Sequence, residues 1–355
     1  MKETKPLLPG MLRDNIEQNK DAMAMDFLGR EYSWGFVKAL VEGLATQLDS
    51  LGIAPYERVG FIAHTRPAHV SALWGLLIAR RCPSMIYGYQ SAEKIAADIR
   101  SLRYPLILAD QRDWTDVTIN AAREVGSAGL SLSDNGLAVV QGLEAVQAGT
   151  CRDTVPGAAV ETLSSGTTGK PKRILLSLQN LESSALAAAA SIKQMSKGTE
   201  ASTPLIVMLP LANISGVYAT VPAGATGHPM ALMEKFSVDA WLALIRRYRP
   251  ATADVPPAAL SMLIDSGVTA DDLSCIQVIR SGAAPLDPEV HRIISEDFGI
   301  PINLSYGASE FCGVLTTWSM EELATYGDSK RGSCGRALAG VRLRVVDRES
   351  GDILA

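Results

Sequence analysis

Short apolar runs and longer amphipathic stretches follow one another along most of this chain. Apolar positions three and four apart run through "REYSWGFVKALVEGLATQLDSLG", which predicts a helix from about Ser33 with Gly52 near its stop. "RVGFIAH" is a short apolar strand, and "RPAHVSALWGLLIARR" a helix with Pro67 in its first turn, where the missing N–H does no harm. "PSMIYGY" is strand-like, "SAEKIAADIRSLR" a helix capped by Ser91, and "YPLILAD" the next strand. Residues 126–159 are rich in Gly, Ser, Ala and Asp and read as a connecting region with a few strand fragments.

The rhythm then resumes. "SLQNLESSALAAAASIKQM" is an Ala-rich helix and "PLIVMLPL" a buried strand. "SVDAWLALIRRYRP" is a helix with Ser237 as cap and Pro250 beyond its end. "CIQVIRSGAAPL" is a strand entering a tight loop, and "DPEVHRIISEDFG" a helix with Asp287 as cap, Pro288 first and Gly299 past the end. "PINLSYGASE" is a strand leading into a polar loop, and "VRLRVVD" alternates like an antiparallel or barrel strand. Strand–helix–strand alternation predicts an α/β fold with parallel sheets covered by helices.

Composition narrows the function classes. With 355 residues, two or three subdomains are expected, and 47% hydrophobic against 20% charged residues matches a globular chain with a sizeable core. A net charge of −5 leaves no basic surplus for nucleic acid or an anionic membrane surface. The five cysteines are scattered and never form a C-x-x-C pair, which predicts reduced thiols in a cytoplasmic protein. His64 and His69 stand five apart, a spacing that does not suit one helical face, so no zinc site is expected. The start of the chain has no apolar signal-peptide core. Residues 201–233 carry no formal charge, but Pro204, Pro210, Pro222 and Pro229 interrupt them, which predicts buried strand, loop and helix rather than a membrane span.

Against this apolar background, "LSSGTTGKPKR" (163–173) stands out. Gly166 and Gly169 let successive backbone N–H groups face one way, Ser164, Ser165, Thr167 and Thr168 add hydroxyls, and Lys170 and Lys172 add charge. Such a turn suits a polyphosphate; a solvated surface loop is the alternative. It is not a P-loop, which needs four residues between its glycines where this stretch has two.

The stretch resembles the phosphate loop of the adenylate-forming superfamily, which includes acyl- and aryl-CoA synthetases. Further motifs follow in that family's order: "SGAAPL" (281–286) on the adenine side, "SYGASE" (305–310) in place of Tyr-Gly-x-Thr-Glu, and the Gly-rich "GSCGRALAGVRLRVVD" (332–347). "LPLANISG" (209–216) is similar to the family's acyl-gate segment.

The resemblance implies a fold of two parallel-rich β-sheets flanked by helices plus a distorted β-barrel, with residues 1–355 forming the large N-terminal AMP-binding domain in several subdomains. It implies that a carboxylic acid attacks the α-phosphate of ATP, and that coenzyme A or a carrier protein then takes the acyl group. Ser164, Ser165, Gly166, Thr167, Thr168, Gly169 and Lys170 would hold the ATP phosphates, with Thr167, Lys170 and Glu310 catalytic and Glu310 also the Mg²⁺ ligand. Gly282, Ala283, Ala284, Ser305 and Tyr306 would hold adenine; Asn213, Ile214, Gly216, Gly307, Cys312 and Gly313 would line the acyl pocket. Read singly, Tyr306 could be a packed strand-end aromatic, Glu310 a helix cap and Cys312 a small wall residue or a nucleophile.

Three departures from the family pattern stand out. Arg173 occupies the position where Gly usually follows Pro-Lys, and Asn213 the position of the gate His. Beyond residue 355 the family continues into a ribose-binding Asp, a hinge and a small lid domain with a catalytic Lys, so the resemblance implies a truncated form or fragment of a longer enzyme, slow in adenylation by itself. A lid-less, non-catalytic adenylate-binding protein is the alternative from another class. The missing Asp in 209–217 argues against an amino acid as substrate, and the small residues around the pocket point to a sizeable apolar acid.

Overall fold

In the computed structural model, residues 7–18, 20–164, 172–195 and 203–354 are described. The chain divides into two units, Met1–Pro250 and Ala251–Ala355.

The first unit is built on a seven-stranded sheet. Its strands, in spatial order, are Gly136–Val139, Ala128–Ser133, Leu106–Asp110, Arg58–Ala63, Cys82–Tyr87, Ala158–Leu163 and Arg173–Ser177. The five inner strands are parallel, and the two edge strands pair antiparallel. The inner strands are nearly continuous apolar runs because both faces are covered. On one face, Ile95 and Ile99 of helix Ala92–Leu102 and Ala121, Ala122 and Val125 of helix Asp116–Val125 pack on Ile62, Ile86 and Ile107. Helix Pro67–Ile78 is buried along almost its whole length, and its Trp74 stacks on Trp34 of helix Trp34–Ser50 with ring centroids 5.5 Å apart.

A four-stranded sheet completes this unit, in the order Leu205–Val207, Met230–Leu232, Met23–Phe27 and Arg30–Ser33. Residues 201–233 therefore do hold buried strand, loop and helix, the helix being Ile214–Thr226, and no helix among the described residues is long and apolar enough to cross a membrane.

The second unit holds a parallel three-stranded sheet, Thr252–Asp254, Val278–Ser281 and Ile302–Leu304, and an antiparallel one, Tyr306–Ala308, Gly313–Thr317 and Arg336–Ala337. Buried Asn303 links them: its amide nitrogen donates to Trp318 O at 2.9 Å, and its amide oxygen accepts from Thr317 Oγ1 at 2.9 Å.

The mixed α/β class and the parallel-rich sheets match expectation, while four local expectations are corrected. No closed barrel exists among the described residues, only the short antiparallel sheet. "VRLRVVD" is not a strand; its Val346 forms one isolated bridge to Ile353, and Leu343 and Val345 are exposed, so no sheet neighbour exploits its alternation. The region 126–159 contributes the hairpin Ala128–Ser133/Gly136–Val139 to the large sheet rather than only connecting. The expected helix at 287–299 is α-helical only over Pro288–Arg292, then widens into a π-turn at Ile293–Asp297.

Candidate active site

The candidate residues fall in both units. In the first unit the loop starting at residue 164 leaves the C-terminal end of strand Ala158–Leu163, where ligand loops gather in open α/β sheets. Ser165, Gly166, Thr167, Thr168, Gly169 and Lys170 lie outside the described residues. The root of their loop is described. Ser164 N donates to Lys172 O at 2.8 Å, Lys172 N donates back to Ser164 Oγ at 3.0 Å, and Leu163 pairs with Arg173. The Ser164 hydroxyl thus closes the loop.

Beneath this root lies a buried carboxylate that the motif gives no hint of. Glu161 accepts from Tyr104 Oη at 2.7 Å and from Ser84 Oγ, and pairs with Arg58 at 3.1 Å and Arg173 at 3.4 Å. Burial alone would raise its pKa, but the Ser84 and Tyr104 hydrogen bonds and the two arginines outweigh it and hold the group ionised below its ordinary range.

The expected gate segment sits beside the same strand. Thr162 Oγ1 donates to Ala212 O at 3.3 Å, and buried Thr65 bonds both Leu209 O (3.2 Å) and Leu211 N (3.1 Å). These two threonines bring Asn213 and the loop root together. Asn213 is the N-cap of helix Ile214–Thr226, yet its exposed side chain makes no capping bond, which leaves the amide to face solvent or a ligand. Gly216 is buried, and a Cβ there would stand 2.3 Å from Pro210 O, so this glycine lets the helix seat against the segment before it.

In the second unit the adenine-side residues follow two adjacent parallel strands. Ser305 N donates to Ser281 O at 2.9 Å, which fixes Tyr306 beside Gly282. A Cβ on Gly282 would meet Ser305 Oγ at 2.5 Å, and Ala283 holds the left-handed region at φ 68°. Tyr306 is 51% exposed, an aromatic face open at the strand end rather than packed in a core. Glu310 is exposed on the short turn Ser309–Phe311. Cys312 is buried, and burial pushes its thiol up to about 11, which keeps it protonated at neutral pH. Gly307 and Gly313 are in backbone contact: a Cβ on Gly307 would lie 2.2 Å from Gly313 O.

A second polar cluster, also unforeseen, lies at the C-terminal ends of the first unit's strands. His64 and His69 do meet, with ring centroids 5.4 Å apart, because one ends a strand and the other opens the next helix. Asp113 bonds His64 Nε2 at 2.8 Å, Glu234 lies 3.4 Å from its Nδ1, and Arg112 bridges to Glu234. Among the described residues no cluster has the makings of a metal site. A cavity of about 250 Å³ between helix Trp34–Ser50 and strand Gly136–Val139 is lined by none of the candidate residues.

The first unit is a parallel α/β unit with its polar loops at strand ends, where open α/β sheets gather ligands, and the second unit by itself presents Tyr306 and an exposed acidic turn. The sequence pattern of the AMP-binding enzyme family matches residues 12–355, and the chain belongs to that family. It is 24% identical to 4-coumarate–CoA ligase 1 of Petroselinum crispum over 95% of this chain and 63% of that protein. It is 30% identical to 4-coumarate-CoA ligase 1 of Narcissus pseudonarcissus over 53% of this chain and 35% of that one. Among solved structures it resembles ATP-bound MatB of Rhodopseudomonas palustris (TM-score 0.81, 22% identity, 99% of this chain and 68% of that one). It also resembles o-succinylbenzoate CoA synthetase of Bacillus subtilis with its acyl-adenylate intermediate (TM-score 0.77, 19% identity, 98% and 67%). The chain spans between about a third and two thirds of the length of these curated relatives.

Proposed function

We propose that this chain binds ATP and a carboxylic acid and joins them as an acyl-adenylate, the first half of an AMP-forming acid–thiol ligase reaction. The observation that supports the reading is where the motif-bearing segments begin: loop 164–172 follows one parallel strand end, and the segments after Ser281 and Leu304 follow two more. The acid's carboxylate would attack the α-phosphorus, forming the acyl–phosphate bond as the bond to pyrophosphate breaks and the electron pair leaves with pyrophosphate. Charge then grows on the leaving phosphates, where Lys170, Thr167, Thr168 and the loop's N–H groups would stabilise it. Tyr306 would cover one face of adenine, and the Gly282–Ala284 backbone its edge.

Glu310 fits Mg²⁺, being an exposed hard oxygen donor that makes no ion pair among the described residues. Held there, Mg²⁺ would neutralise phosphate charge. The second half of the reaction transfers the acyl group to a thiol, and the likeness to CoA ligases favours coenzyme A over a carrier protein. The five cysteines, none of them in a disulfide among the described residues, suit a reducing, cytoplasmic setting. The small residues beside Asn213, Ala212 and Gly216, favour a sizeable apolar acid.

Calorimetric titration with Mg-ATP and with non-hydrolysable short, long, aryl and amino-acyl adenylate analogues tests this. Tight binding of one class, lost in the Lys170→Ala/Glu310→Ala variant, is the expected result. Equal binding by wild type and variant would overturn it.

A further inference from the structure

Arg173 opens the edge strand that follows loop 164–172, and its guanidinium reaches across to strand Cys82–Tyr87. Its Nη1 donates to Ser84 Oγ at 2.9 Å and to Met85 O at 3.2 Å, and lies 3.4 Å from Glu161 Oε2. Ser84 and Met85 belong to strand Cys82–Tyr87, which is separated from Arg173's own strand by Ala158–Leu163. The side chain therefore spans its neighbour strand and fastens the loop's exit limb to the strand beyond. The entry limb joins the same point: Glu161, two residues before Leu163, is in register with Ser84 and bonds it.

Charge neutralisation does not explain this arrangement. Glu161 already has Arg58 at 3.1 Å and two hydroxyl donors, and the Met85 carbonyl carries no net charge for a cation to offset. What Arg173 adds is one charged nitrogen shared between two acceptors on one strand, a link that a glycine lacks. We propose that Arg173 is a positioning residue for ATP: by tying the root of loop 164–172 to strand Cys82–Tyr87, it fixes the points at which the loop leaves and rejoins the sheet. This rests on the reading of that loop as the phosphate site, and it assigns to this chain a support that the family's usual glycine does not provide.

The test compares wild type with Arg173→Gly, Arg173→Lys and the double variant Glu161→Gln/Arg173→Gly. Three quantities are read: thermal midpoint, amide hydrogen exchange of the segment 163–176 by mass spectrometry, and the calorimetric Kd for Mg-ATP. Arg173→Gly is expected to speed exchange in that segment and to weaken Mg-ATP by roughly tenfold or more, the scale of one charge-assisted hydrogen bond. Arg173→Lys, which presents several donors from one nitrogen, should keep most of the protection and of the affinity. The double variant, which removes the carboxylate as well, should leave exchange fast and affinity low. Unchanged exchange in Arg173→Gly overturns the proposal, and so does recovery of affinity together with midpoint in the double variant, because Arg173 would then only balance Glu161. If wild type itself binds no Mg-ATP, the phosphate-site reading fails separately; the exchange data still decide, faster exchange upholding the tether and unchanged exchange refuting it.

Discussion

Two glycines show how one Cβ decides between packing and slack. Gly307 faces the Gly313 carbonyl at 2.2 Å from an ideal Cβ, and backbone cannot step aside as a side chain can. Gly307→Ala should therefore destabilise the second unit by about 1–3 kcal/mol and distort the turn carrying Glu310. Gly43, inside helix Trp34–Ser50, has nothing within 4 Å of the same virtual atom. Gly43→Ala should stabilise by about 0.5–1 kcal/mol through helix propensity and a less entropic unfolded chain. Paired denaturant titrations read both, and a similar midpoint shift in the two would refute the steric account. Residue types alone did not separate these glycines, since neither Gly307's neighbour nor Gly43's free space is local in sequence.

At the scale of elements, the site depends on tethers between segments far apart in the chain. Thr162 fixes the segment before Asn213 to the strand that feeds loop 164–172. Thr162→Val keeps the shape but leaves the Ala212 carbonyl without this donor, at a cost of about 1–3 kcal/mol. The acyl-adenylate analogue should also bind more weakly, because the gate and the loop root would lose their common anchor. A midpoint in denaturant equal to wild type, with unaltered analogue binding, would show that the tether is dispensable. Most helices near these tethers were legible beforehand: Ser33, Ser91 and Ser237 each cap the helix they were expected to start, with side chains accepting from Phe36, Lys94 and Ala240 N–H groups. Caps are readable because donor and acceptor are three residues apart. The helix Leu7–Gln18 and the hairpin Met23–Phe27/Arg30–Ser33 went unread, since their apolar faces are completed by partners about 200 residues away, such as strand Met230–Leu232 and Gly224, whose carbonyl accepts from Asn15.

For the molecule as a whole, the two histidines predict opposing pH dependences of stability. Burial works to lower the pKa of His64, but hydrogen bonds to Asp113 and Glu234 overcome it and raise the value above its ordinary 6.5. Its contribution is thus complete below the unfolded pKa and is lost as pH rises through the folded one. His69 is fully buried, and burial lowers its pKa despite Asp110, so its contribution is present above 6.5 and declines as pH falls. Glu234, held down to about 2 by His64 and Arg112 against its burial, favours the folded state above 4.5 and loses that advantage toward pH 2. Thermal midpoints across the neutral and alkaline range should fall less steeply in His64→Gln than in wild type; identical slopes would contradict the raised value. The charged groups around His64 are Asp113, Glu234, Arg112 and His69, with the Tyr89 ring packed edge-on.

The α/β class, most of the helices and the order of the candidate loops were determined by the sequence itself, because period, caps and motif spacing depend on neighbours a few residues apart. Residues 341–347 mark the limit of that reading: their alternation is real, but a strand needs a partner for its backbone groups, and among the described residues Val346 has only Ile353. Tertiary structure alone decided that Ser164 closes the loop, that Glu161 and Arg173 lie beneath it, and that His64 meets His69 and Glu234. Each of these depends on which strands become neighbours, and that follows from the burial of apolar faces across the whole sheet rather than from any short stretch of residues.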